Sequence, residues 1–365
     1  MAGSYLDVDR LSSVLATVAP AEQFQIARTG ARTDLLCLAA ADALSADLLM
    51  TDRPTVLANR SDGQGVTVAT AGEAIALISL YLRSQGVYLL GSLSGVRMVA
   101  ERSGFFFIGS RALLSTAEQW DPASIDQVSL RSRVFALRNS MLQRFDRALR
   151  NRDRIHLAMS QPFNSSTADA AMEALDSTLV FLMASCDALA RAAHLLLGLP
   201  DDNQAHNAGW QRQSWTSRPE IQSIPMIATL LADDTAERAC LTILSRLRNT
   251  IHAVAMTRLR QMASGGNTYL SVIVPEDYNL TELRTAFATA GGEHAWGVSQ
   301  MHDGRMRIEP ADFIERLFAT LVPLLNSVAG ALPVAQLPPV SEGEERVRGF
   351  SSRDAASLRA QLAVG

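Results

Sequence analysis

Hydrophobic and polar positions along this chain recur mostly with the period of an α-helix, about 3.6 residues, and seldom with the period of two that marks a strand. Residues 10–50 are rich in Leu and Ala, and Thr33 can cap a helical segment that ends near Met50. Pro54, Gly63 and Gly65 break the stretch 53–68, which has room for a short strand. Thr70 and Glu73 have capping-box spacing ahead of an apolar run, and Gly86 ends the helix they predict. The FFFI run at 105–108 suits a buried strand or a helix start equally, because it is too short for periodicity to decide. One long helix is predicted over 126–158, then a polar break at 160–168, then a very apolar helix over 169–198 stopped by Gly198 and Pro200.

A loop with two tryptophans covers 200–220, and helices follow over 224–232 and 235–263, the second ended by Gly265 and Gly266. Residues 269–275 alternate like a strand, and 280–290 read as a short helix. His302-Asp303-Gly304 stands between two short strand-like runs, a hairpin signal. Pro310 and Asp312 open a helix over 310–331, Pro333, Pro338 and Pro339 mark a linker, and Ser352 can cap a last helix to about 362. The expected fold is mainly α, in three parts. Residues 1–165 form an N-terminal helical domain, 166–332 a helical bundle with a small β-hairpin insertion, and 333–365 a linker with a short C-terminal helix.

Composition narrows the chemistry. The 365 residues are 48% hydrophobic and 19% charged, which suits a globular chain of about two domains. The formal net charge is −4, so any nucleic-acid contact must come from a local patch. All 33 basic residues are arginine, which excludes a lysine Schiff base and a P-loop. Cys37, Cys186 and Cys240 are odd in number, far apart and in apolar helical contexts, so they read as buried reduced thiols and form neither a disulfide framework nor a cysteine zinc site. The apolar stretches 178–199 and 317–334 are interrupted by Asp187, Arg191 and His194 and by Pro323 and Asn326, so neither reads as a membrane span. The N-terminus carries acidic residues without an apolar core and does not read as a signal peptide, so a cytoplasmic protein with no membrane partner is expected. There is no GxGxxG after a strand, no HExxH and no GxSxG, and no metal or other cofactor is expected.

Three clusters remain. Eight arginines face two acids between Arg131 and Arg154, a local net of +6. Arg131, Arg133, Arg138, Arg144, Arg147 and Arg150 can form a phosphate-backbone track, or a solvated helix face whose stems cover apolar neighbours. In the helix predicted over 235–263, Leu241, Leu244, Arg248, His252, Ala255, Leu259 and Met262 share one face at about 100° per residue. An arginine and a histidine thus fall one turn apart in an otherwise apolar stripe, with Asn249 to one side and Arg246 on the opposite face. Buried charge needs partners. The pair is either an internal ion-pair arrangement or part of a phosphate-binding pocket, in which His can move a proton and Arg can hold an oxyanion. Asp187, Arg191 and His194 share a face of the preceding apolar helix and can supply partners to that pair, or are simply its solvent side.

Arg248-Asn249-Thr250-Ile251-His252, with the apolar helix ending DALARAAHLLLGL and the closing helix DFIERLFATLVPLLNSV, resembles the HEPN superfamily over residues 169–331. The resemblance implies a helical bundle, usually dimeric, that cleaves RNA without a metal. It also implies that Arg248, Asn249 and His252 are the catalytic residues, and that two such helices face each other across a two-fold axis. RNA and a second copy of the chain are the expected partners, with a protein partner for residues 1–165 as a further expectation. The function so implied is RNA binding, with metal-independent endoribonuclease activity in a defence or stress system. The alternative is a non-catalytic helical scaffold in which Arg248 and His252 are structural.

Overall fold

A computed structural model of the chain describes residues 31–53, 56–57, 66–93, 96–118, 120, 130–161, 164–200, 205–262, 268–275, 280–334 and 352–362. The fold is mainly α, with 13 α-helices and eight short strands among the described residues. The chain forms two compact units, Met1–Leu82 with Ala360–Gly365, and Arg83–Arg359.

In the first unit, helix α1 (Ala31–Ala43) leads to strand β1 (Leu48–Met50), which pairs in parallel with β2 (Thr67–Ala69). The helix therefore stops short of Met50. Ser45 turns the chain at φ +50°, and the next residues take up the pairing with β2. Thr33 lies inside α1 and is not its cap, while the part of this expectation on residues 10–30 falls outside the described residues. The capping box that starts α2 (Ala71–Ser84) is present. The Thr70 amide donates to Glu73 Oε2 at 2.7 Å, and the Glu73 amide donates to Thr70 Oγ1 at 3.3 Å. Gly86 follows at φ +77°, a conformation that glycine adopts without strain.

The second unit opens with the hairpin of β3 (Leu89–Leu93) and β4 (Val96–Val99). The FFFI run lies in helix α3 (Arg102–Leu113), where Phe105 and Phe106 are buried and meet edge to face. After the one-turn α4 (Ser115–Glu118) come two long helices, α5 (Leu130–Met159) and α6 (Ser165–Leu196). Asn164 caps α6 by accepting from the Thr167 amide. The two helices pack along their length as a hairpin, burying Leu142, Phe145 and Leu149 of α5 and Leu175, Leu179 and Leu182 of α6. The expected boundary near residue 165 thus falls in the turn of this hairpin, inside one compact unit.

Three short helices follow, α7 (Gln213–Thr216), α8 (Pro219–Gln222) and α9 (Pro225–Leu230). Helix α10 (Ala236–Ala253) is capped by Thr235 and packs on α6, on α11 (Leu280–Thr289) and on α12 (Pro310–Ala331). Helix α12 also lies against α5 and α6, where Phe318 meets Phe145 edge to face at 5.4 Å, so α5, α6, α10 and α12 enclose the core. The helix expected over 235–263 is shorter than its pattern. At Val254 the backbone becomes extended, and Thr257–Met262 is strand β5. It pairs with β6 (Thr268–Ile273), which pairs with β8 (Met306–Ile308), which pairs with β7 (Val298–Gln300). The expected hairpin is therefore half of a four-stranded antiparallel sheet, β5-β6-β8-β7. Strand pairing overrides the helical preference of Leu, Arg and Met in that segment. A last helix, α13 (Ser352–Leu362), begins at Ser352.

Helices α6 and α12 are long and apolar enough to cross a membrane by composition alone, yet 61% and 50% of their apolar windows are buried inside the protein, as in core helices. Cys186 and Cys240 are buried free thiols, and burial pushes both up from the ordinary cysteine range. Cys37 is half-buried.

Candidate anion-binding site

Three of the six arginines expected to track a phosphate backbone are engaged inside the protein. Arg138 is buried, donates through Nε to the Ala117 carbonyl at 3.0 Å and stacks on Phe135. Arg144 donates to the Ala184 carbonyl at 2.8 Å, bridging α5 to α6. Arg150 forms a two-pronged pair with Asp146 one turn back. Arg133 and Arg147 are exposed, and Arg147 covers the ring of Phe181. The side chain of Arg131 lies outside the described residues. Farther along α5, the buried Arg152 pairs with Glu315 of α12, which His156 also reaches at 2.5 Å, and Arg83 pairs with Asp153 at 2.5 Å. The run is thus largely a seam that ties α5 to its neighbours, a correction to the backbone-track expectation. Its periodicity is helical, so its arginines spread over buried and exposed faces alike.

The stripe on α10 also needs correction. Leu241 and Leu244 are buried, but Arg248 is half-exposed and His252 exposed. The apolar contact surface of α10 runs instead through Ala239, Cys240, Ile243, Leu244 and Leu247. With the helix ending at Ala253, its last turn has no continuing stripe, and there Thr250 is buried while His252 and Ala253 are exposed. Among the described residues, Arg248 makes one side-chain hydrogen bond, from Nη1 to Oδ1 of its neighbour Asn249 at 3.0 Å. Asn249 is exposed.

What α10 does form is one wall of a cavity of about 340 Å³. Thr242, Ser245 and Asn249 line it at helical spacing, with Arg238 one turn earlier and Arg246 and Arg248 on the flanks. Met183 and Asp187 of α6, Gln211 and Arg212 of the loop before α7, and Glu282 of α11 close it. Arg246, expected on a solvated face, thus shares the cavity with Arg248 and pairs with Glu282 at 2.6 Å. Arg238 donates to the Trp210 carbonyl at 2.7 Å, and Arg212 to Asn207 at 2.5 Å. Four guanidinium groups against two carboxylates leave the wall with a formal charge of +2.

Asp187, proposed from sequence as a partner of the arginine, does line this wall. Burial raises its carboxyl above the ordinary aspartate range, while the Gln211 hydrogen bond and the charges of Arg191, Arg212 and Arg248 act against that rise. Its hydrogen bond from Gln211 Nε2 is long, 3.4 Å. Arg191 is exposed and does not line the cavity. His194 belongs to the core. It is buried, its Nε2 lies 2.9 Å from the Pro200 carbonyl, and its Nδ1 accepts from the Trp215 indole at 3.4 Å. That pattern requires the proton on Nε2.

Sequence reading missed Gln211, Arg212, Arg238 and Glu282. Arg238, Thr242, Ser245 and Asn249 form a polar stripe legible at helical spacing, but the loop residues have no period to betray them. Among the described residues no three His, Cys, Asp or Glu side chains gather as a metal site. Comparisons with protein-family models, with curated proteins and with solved structures find no match to this chain.

Proposed function

We propose that this chain is an RNA-binding protein that takes a backbone phosphate in the cavity walled by Arg212, Arg238, Arg246 and Arg248, and that it acts there as a HEPN-like, metal-independent endoribonuclease. The observation that carries the reading is the meeting of four guanidinium groups around one concave, polar cavity at the Arg248-Asn249 pair. Guanidinium groups suit phosphate because their forked donors match its oxygens, and in a recess they lose less to solvent than on an open face. Arg248 has only Asn249 as a side-chain partner among the described residues, so turning to a ligand disrupts no buried ion pair.

In this reading His252, exposed one turn beyond Arg248 and outside the residues that line the cavity, is the proton-transfer group. It takes the proton of a ribose 2′-hydroxyl as that oxygen attacks phosphorus, and a proton is delivered to the departing 5′-oxygen. The products are a 2′,3′-cyclic phosphate and a free 5′-hydroxyl. Arg248 stabilises the charge that builds on the phosphoryl oxygens, and Asn249 orients the phosphate or the histidine. A homodimer fits the exposed Ala253, Val254 and Ala255 that follow His252, a small apolar surface for a two-fold seam. The reading places the protein in the cytoplasm, in a defence or stress role. A scaffold in which Arg248 and His252 are structural is less favoured, because that role calls for burial and saturated partners.

The test is incubation of the purified protein with total RNA in EDTA, beside a His252→Ala variant of matched melting temperature. Cleavage by the wild type alone supports the ribonuclease reading. Equal cleavage by both removes His252 from any catalytic role, and cleavage by neither favours the binding or structural reading over the ribonuclease one.

A further inference from the structure

The cavity carries acceptors that a phosphate cannot use. Gln211 Nε2 points at Asp187, and Gln211 Oε1 is buried with no hydrogen-bond donor among the described residues. The amide cannot flip to relieve this, because Oε1 would then face the Asp187 carboxylate. The side chain also folds back tightly, since a Cβ at Gly209 would stand 2.8 Å from Nε2 and 2.9 Å from Oε1. Among the described residues Asp187 itself has one long hydrogen bond for two carboxylate oxygens. The Asp187 carboxylate and the Gln211 side chain therefore line the same recess as the arginines, with Gln211 Oε1 turned inward and covered. A buried acceptor left unmade is costly, so a ligand that supplies donors here gains what a bare anion does not.

We infer that Asp187 and Gln211 form a base-reading element, selecting RNA in which the nucleotide next to the arginine-bound phosphate presents adjacent N–H donors, the pattern of guanine. This rests on the RNA-binding reading above. Within an RNA strand the 3′-oxygen is esterified, so the sugar has no vicinal hydroxyl pair to offer, and the paired donors must come from a base edge. Guanine N1–H and N2–H fit the two oxygens of a carboxylate side by side, and in taking Asp187 they release the Gln211 amide to turn its covered Oε1 to the second N2–H. Uracil and adenine each present fewer donors on that edge. Single-stranded RNA leaves the edge open to be read.

The experiment is titration of the full chain with short single-stranded RNAs that differ only in one central base, guanine, inosine, adenine or uracil, with sulfate as a bare anion. The cleavage-silent His252→Ala variant keeps the ligands intact. The expected order is guanine first, at least about tenfold over uracil, as one good bidentate contact supplies, with inosine between them. In Asp187→Asn the preference collapses, while uracil RNA and sulfate bind as well as before or tighter, because a negative charge has left the wall. Gln211→Leu provides a second variant, with a smaller loss confined to guanine. RNA that binds wild type with no base preference, or a preference unchanged in both variants, overturns the base-reading element and leaves the arginine site standing. No binding of any RNA overturns the site as well.

Discussion

Arg248 donates to Asn249, its own neighbour in sequence, at 3.0 Å, and reaches no acid within pairing distance among the described residues. Arg246, two residues earlier on the same cavity, is held by Glu282 at 2.6 Å. The two arginines have different work. Arg246 ties α10 to α11 through Glu282, and on the proposal above Arg248 is the one that meets the RNA phosphate. Arg248→Ala is expected to weaken RNA binding about 10- to 100-fold, the loss of one charge-assisted contact, and to lower the salt slope by about one unit. Its melting temperature should hardly move. A fall in stability with unchanged affinity would make Arg248 a structural residue.

The two histidines at issue should separate cleanly under mutation. His194 joins the Pro200 carbonyl to the Trp215 indole in the core, so His194→Ala strands both and opens a void. A loss of about 1–3 kcal/mol is expected in urea unfolding. His252 is exposed, and His252→Ala should stay within about 0.5 kcal/mol of wild type. Equal losses at the two positions would contradict these placements.

The seam between α5 and α12 sets a pH limit on the fold. Burial acts to raise the Glu315 carboxyl, but the hydrogen bond from His156 and the charge and hydrogen bonds of Arg152 prevail and hold it below its ordinary value of 4.5. A carboxyl lowered in the folded state contributes stability that is present above the unfolded value and lost as pH falls through the folded one. Stability should therefore drop as pH falls below about 4.5, and the Glu315 share of that drop should vanish in Glu315→Gln. At pH 7, Glu315→Ala should cost about 3–5 kcal/mol, because it takes the carboxylate from a buried guanidinium. Chemical unfolding from pH 3 to 7 checks both.

Asp187 has the opposite sign. Burial raises its carboxyl, so the ionised form is disfavoured in the folded state. That penalty is absent below the unfolded value and fully present above the folded one. Asp187→Asn should therefore stabilise the protein at pH 7, and the gain should shrink as the solution is made acidic. A variant less stable than wild type at pH 7 would mean that the arginine charges outweigh burial at this carboxylate.

Much of this fold is legible in the pattern of the chain. The capping box of Thr70 and Glu73, the glycine stop at Gly86, the Pro310 start of α12 and the turn at Gly304 depend on a few neighbouring residues, and local chemistry specifies them. The strand Thr257–Met262 was hidden because Leu259 and Met262 also fit the helical period of the residues before them. Only pairing with Thr268–Ile273 decides between the two. The same error of length made Arg248 and His252 look core-facing. The arginine run of α5 was visible as charge, but its partners Ala117, Ala184 and Glu315 are far away in sequence, and no local pattern predicts them. Half of the site was legible, Asp187, Arg248 and Asn249. Of the rest, Arg238 and Glu282 stand on helices α10 and α11, and Gln211 and Arg212 come from the loop in which Trp210 packs on Trp215 at 4.8 Å.

Binding of RNA to the arginine cavity on α10 through Arg248 can be measured by fluorescence anisotropy. The ligand is a labelled single-stranded RNA, titrated with wild type and with Arg248→Ala at two salt concentrations. Wild-type binding is expected to weaken steeply with salt, and the variant to bind at least about tenfold more weakly with a shallower salt slope. Equal affinities and equal slopes for the two proteins would contradict binding through Arg248.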